Sequence, residues 1–119
     1  MASRIETFRD LIVWQKSMDL SVAIYRLTGT FPPEEKYGLT NQLRRASVSV
    51  PSNIAEGFGR GTRKDYRQFL VVSRGSALEL QTQLTLARRL GFGRLVELEQ
   101  AESLADEVVR MLYGIVLKL

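Results

Sequence analysis

Along almost the whole chain, apolar residues recur at alternating steps of three and four, the period of an α-helix with one buried face. Between residues 8 and 28, Trp14, Met18, Ser21 and Tyr25 form one stripe, and Leu20, Ile24 and Leu27 an adjoining one. So broad a face predicts a first helix that touches two neighbours, with Trp14 and Tyr25 in the core rather than in a ligand pocket. Asp10 is the expected cap of its start, and Gly29 its stop as a left-handed C-terminal residue. Pro32 and Pro33 force an extended connection, after which Glu34 and Glu35 carry the sign that suits a helix amino terminus. A second helix is predicted over residues 34 to 58, although Gly38 weakens its first turns by roughly 1 kcal/mol relative to alanine.

Leu39, Leu43, Ala46, Val50 and Ile54 hold the helical stripe across Pro51. The segment ASVSVP, residues 46 to 51, also alternates like a short strand, but no other segment offers a strand to pair with. The expectation is therefore a helix kinked at Pro51, where the ring removes the backbone bond to Ser47. Asn53 and Glu56 have capping-box spacing and predict a restart of the helix, and Gly57, Gly59 and Gly61 end it.

A third helix is predicted over 63 to 90, with Thr62 as cap and Asp65 in its first turn. Leu70, Ala77 and Leu84 alternate with Tyr66, Ser73, Leu80 and Ala87 in a heptad. Small residues at Ser73, Gly75, Ser76 and Ala77 predict close approach by the 46 to 55 segment. The fourth helix, 94 to 118, carries Leu98, Ala101, Ala105, Val108, Leu112, Ile115 and, just beyond it, Leu119. Val109 and Val116 lie beside this row, a flanking stripe suited to an oligomer interface. Together the pattern predicts an all-α, up-down-up-down antiparallel four-helix bundle, one domain over residues 1 to 119.

Composition narrows the chemistry. The chain has neither cysteine nor histidine, which removes thiolate and imidazole as nucleophile, base or metal ligand, and no cofactor is implied. The amino-terminal MASRIETFRDL lacks the apolar run of a signal peptide, and no segment is long and apolar enough for a membrane span. A cytoplasmic protein is expected. The net charge is +4, yet residues 41 to 74 alone hold Arg44, Arg45, Arg60, Arg63, Lys64, Arg67 and Arg74 against Glu56 and Asp65. Basicity so localised favours an anionic partner.

Polar side chains concentrate where core belongs. Arg44, Arg45, Asn53, Glu56, Arg74, Ser76 and Glu79 are expected to form a buried or interfacial network that fixes helix register, with Arg44 or Arg45 against Glu79. Arg60, Arg63, Lys64 and Arg67, around the turn between the second and third helices, are the candidate contacts to RNA or DNA phosphates. The sequence GFGRG, residues 57 to 61, follows a helix rather than a strand and lacks the spacing of a phosphate loop. Glu56 and Glu79 are the only candidates for a small hydrolase, the weakest reading, because each has arginines nearby as simple partners.

The segments LIVWQKSMDL, IYRLTGTFPPEEKYGLTNQLRRASVSVPSNIAEGFGR and FLVVSRGSALEL resemble the bacterial four-helix bundle proteins named for open reading frames in the intervening sequences of 23S rRNA genes. The match spans roughly residues 8 to 91, with SVPSNIAEG and RGSALEL its most specific parts; the fourth helix is similar in pattern only. The resemblance implies a cytoplasmic bacterial bundle that assembles into a ring, typically a homopentamer, with no catalytic residues to transfer. A relative in fold, the accessory variability determinant of diversity-generating retroelements, works as a basic pentamer that binds a reverse transcriptase and nucleic acid. The sequence thus reads as a non-enzymatic, oligomeric protein that binds nucleic acid with low sequence specificity. The alternative is a scaffold for a partner protein.

Overall fold

The computed structural model describes residues 4–119, so the first three residues of the amino-terminal segment and of the 1 to 119 domain lie outside it. Four helices follow in order: α1 (Ile12–Thr28), α2 (Leu39–Gly59), α3 (Arg63–Leu90) and α4 (Leu95–Lys118). Each packs on its neighbours in sequence and α1 closes on α4, while the diagonal pairs stay apart. Every adjacent pair runs antiparallel, as Ser21 against Ser47, Ser49 against Ser76 and Arg88 against Glu102 illustrate. The result is the expected four-helix bundle, about 44 Å long.

The core is the set of stripes read from the sequence, with two substitutions. In α2 and α3, Leu39, Leu43, Ala46, Val50 and Ile54 face Leu70, Ser73, Ala77, Leu80, Leu84 and Ala87, all buried. In α4, Val116 is buried while Ile115 and Leu119 are only half-buried. Val116 is therefore core and not a spare flank. In α1, Val13, Ser17, Leu20, Ile24 and Leu27 make the buried face. Met18 and Tyr25 are 40% and 46% exposed, so the stripe through Trp14, Met18 and Tyr25 lies beside the core rather than in it.

The helix ends differ from expectation where backbone geometry overrides residue type. Thr7 and Asp10 form a capping box around a separate 3-10 turn, Phe8–Asp10, and α1 begins only at Ile12. The backbone N–H groups of Thr7 and Glu6 hold the Asp10 carboxyl below its usual range. Gly29 is not left-handed: it stays right-handed, and the chain tightens through Thr30 and Phe31 N–H bonds to Leu27 and Thr28 carbonyls. After the prolines, Pro33–Glu35 forms only a 3-10 turn, and Gly38 adopts φ −106°, ψ −118°. That non-helical glycine delays α2 to Leu39, whose N–H is taken by the Glu35 carboxylate. Thr62 and the left-handed Gly91 cap α3 as read from the sequence.

Pro51 sits inside one continuous α2, and the helix does not restart at Asn53. The Asn53 amide instead donates to the Ser49 carbonyl and hydroxyl. The proline leaves the Ser47 carbonyl without its helical donor. Ser21 of α1 supplies the missing one, its hydroxyl 2.8 Å from that oxygen. One turn on, Ser73 of α3 donates to the Val50 carbonyl at 2.8 Å. Small hydroxyl residues thus bind α2 to both neighbours at its weakest point. Gly57 permits tight contact of α2 with α3, since a Cβ there would lie 2.5 Å from the Phe69 Cβ.

Candidate nucleic-acid interface

The α2–α3 turn is shaped by Gly61, left-handed at φ +85°, and by Thr62, which accepts the Asp65 N–H and starts α3. Around it Arg60, Arg63, Lys64 and Arg67 are all exposed. Their partners divide them. Arg60 is drawn back to Glu56, 3.2 Å away, and lies over the Phe69 ring at 4.9 Å. Arg63 donates to the Leu119 and Lys118 carbonyls, neutralising the carboxyl end of the α4 dipole. Lys64 and Arg67 take part in no ion pair among the described residues. Beneath them Phe58 and Tyr66 meet edge to face, and burial pushes the Tyr66 hydroxyl above its usual pKa.

The polar residues expected to form one network fall into separate clusters within the protomer. Arg44 is held by a bond from Nε to the Thr28 hydroxyl, 2.9 Å, and stacks 4.6 Å from the Tyr25 ring centre. Ser49 and Ser76 share a hydroxyl bond of 2.8 Å, with Asn53 joining at Ser49. Glu79 accepts only from Gln83, at 3.4 Å, and makes no ion pair with Arg44 or Arg45. Arg74 points the other way, over Tyr113 of α4 at 5.2 Å. Within the protomer, cation–aromatic and hydroxyl contacts hold Arg44, Arg74 and Ser76, and among the described residues Glu56 alone of the set is ion-paired, to Arg60.

Glu56 and Glu79 do not meet within the protomer. Ser49 meets Ser76, which sets Glu79 level with residue 46, so the two residues lie about 15 Å apart along the bundle. Acid–base pairs at a glycosidic bond work within about 10 Å. Among the described residues, no group of three or more acidic side chains is placed to hold a metal, and no helix is long and apolar enough to cross a membrane.

Two surface features go beyond the sequence reading. The row Asn41, Arg45 and Ser49 on α2 divides two grooves, one toward α3 of about 380 Å³ and one toward α1 of about 440 Å³. A more apolar hollow of about 310 Å³ lies between α1 and α2, lined by Trp14, Met18, Val48, Pro51 and Ala55. The four-residue step of Asn41, Arg45 and Ser49 was a signal for the first. The second requires knowing which α1 stripe turns outward.

The model of the 23S rRNA-intervening sequence protein family matches residues 9–114. The chain belongs to that family. Among solved structures, it is similar to a protein of unknown function from the S23 ribosomal protein family of Bacteroides thetaiotaomicron VPI-5482. That likeness has a TM-score of 0.80 at 23% identity, over 88% of this chain and 98% of the other. No curated protein matches this chain. The match to the 23S rRNA-intervening sequence protein family also runs through α4 as far as residue 114, where the motif segments are absent.

Proposed function

We propose that this family member is a non-enzymatic, self-associating bundle that binds RNA or DNA through the α2–α3 turn, with low sequence specificity. The observation that carries the reading is four exposed cations within residues 60 to 67, of which Lys64 and Arg67 have no ionic partner among the described residues. Side chains held by neighbours, as Arg60 and Arg63 are, add to the field without losing their remaining donors. Guanidinium forks suit phosphate oxygens, and repetition of the turn in an assembly multiplies a weak contact.

Exposed apolar side chains at Met18, Val22, Tyr25 and Val48, beside the hollow at Pro51, support self-association. The ring expected from the resemblance is a homopentamer, and light scattering tests it: a mass five times 13.5 kDa agrees, and a monomer contradicts it. Binding is tested by anisotropy of a labelled single-stranded ten-mer. With four phosphate contacts per protomer, affinity falls about fiftyfold between 50 and 200 mM salt. Absence of binding at about 50 mM salt overturns the reading. The same apolar hollow favours the second reading, a scaffold for a partner protein. A stoichiometric protein that co-purifies after nuclease treatment, with no oligonucleotide binding, decides for it.

A further inference from the structure

We infer that the polar groove between α2 and α3 reads a base: it takes one unpaired guanine of a single-stranded nucleic acid, with Glu79 on its Watson–Crick edge and Arg45 on its phosphate. This rests on the nucleic-acid reading above and adds a specificity site to it, about 22 Å along α2 from Arg60.

The groove toward α3 is lined by Asn41, Gln42, Arg45, Ser49, Ser76 and Glu79. Its two charged groups, Arg45 and Glu79, are exposed and stand in no ion pair among the described residues. An ionised carboxylate only accepts hydrogen bonds and a guanidinium only donates them, so the occupant must offer donors on one side and an anion on the other. Beside a phosphate strand, a carboxylate is repulsive unless it meets donors. Guanine alone among the bases presents two adjacent donors, N1–H and the 2-amino group, on its Watson–Crick edge, matching the two carboxylate oxygens. Gln83, 7% exposed, donates 3.4 Å to one of those oxygens from the next turn of α3. The carboxamides of Asn41 and Gln42 supply donors for O6 and N7. The floor is small and uncharged, with Ser49 and Ser76 satisfied by each other at 2.8 Å.

The neighbouring groove completes the site. It shares Asn41, Arg45 and Ser49 and adds Tyr25 and Arg44. Tyr25 is 46% exposed, and Arg44 is fixed against it by the Thr28 hydroxyl. Such an aromatic–guanidinium platform stacks whichever base comes next. An arginine common to both grooves sits where the phosphate between two bases passes.

The experiment compares labelled ten-mers of uridine alone, with one central guanosine, and with inosine at that position, which lacks the 2-amino group. The guanosine strand should bind about tenfold tighter than the uridine strand, and inosine should lose most of that gain. Glu79→Gln, at an exposed position, should erase the difference between the strands. Equal binding of all three strands overturns the base-reading site and leaves the phosphate-binding function standing, as does a guanosine preference that survives Glu79→Gln. If no strand binds, the function itself fails and the site with it.

Discussion

Ser21 of α1 replaces a hydrogen-bond donor that Pro51 deletes from α2. Its hydroxyl lies 2.8 Å from the Ser47 carbonyl and 3.1 Å from the Ser17 carbonyl. Ser17 keeps the backbone N–H of residue 21, so only Ser47 depends on the side chain. Ser47 and Ser21 are both buried, so the carbonyl is screened from bulk water. Ser21→Ala therefore orphans a buried carbonyl, at a cost of about 1–3 kcal/mol. In a bundle of this size 2 kcal/mol is a drop of about 8 °C in Tm. The decisive control is Pro51→Ala, which returns a backbone N–H to Ser47. In that background, Ser21→Ala should cost less than about 0.5 kcal/mol, so a cost of about 2 kcal/mol beside Pro51 means a coupling of at least about 1.5 kcal/mol in the double-mutant cycle. Urea unfolding followed by helical circular dichroism at one fixed protein concentration measures all four corners, since any self-association would shift apparent stability. Equal costs of Ser21→Ala with and without Pro51 refute this role for the serine.

Two further expectations concern folding and pH. Gly57→Ala puts a Cβ 2.5 Å from Phe69 and should cost about 1–3 kcal/mol in urea unfolding. Gly59→Ala meets nothing within 4 Å and should be neutral or stabilise by up to about 1 kcal/mol, so equal effects at the two glycines contradict the packing. The Arg88 fork binds both Glu102 oxygens, at 2.9 and 2.7 Å, and this hydrogen bonding holds the carboxyl below its usual 4.5. A depressed folded value means stability present above pH 4.5 and lost as pH falls through the folded value, so Tm should decline more steeply below pH 4.5 in the native chain than in Glu102→Gln. Identical pH profiles contradict the role given to the fork.

Much of the bundle was legible because α2, α3 and α4 each bury a narrow stripe at helical spacing, and a stripe is a property of sequence alone. The heptad from Tyr66 to Ala87 needed no tertiary information. The α1 stripe did, because two apolar faces compete there and only the neighbours decide that Leu20, Ile24 and Leu27 win over Met18 and Tyr25. Caps failed where one residue had two possible duties. Asp10 fits a helix cap equally well as it fits the turn it closes, and Asn53 found its own helix's Ser49 before any free N–H. Charge was read least well. Seven polar residues close in sequence suggested one ion-pair network, but helical geometry sends Arg74 toward α4, Arg44 toward α1 and Glu79 toward the α2 groove. The segment ASVSVPSNIAEG now has a physical account in one part: Pro51 deletes the helical donor of the Ser47 carbonyl, and Ser21 satisfies that carbonyl.

The binding reading stands most directly on the salt dependence of oligonucleotide affinity. For a single-stranded ten-mer, the slope of log K against log salt should be about −3, and Lys64→Ala with Arg67→Ala should bring it nearer zero by about 1.4. A slope near zero, or one that the double variant leaves unchanged, contradicts a nucleic-acid interface at the α2–α3 turn.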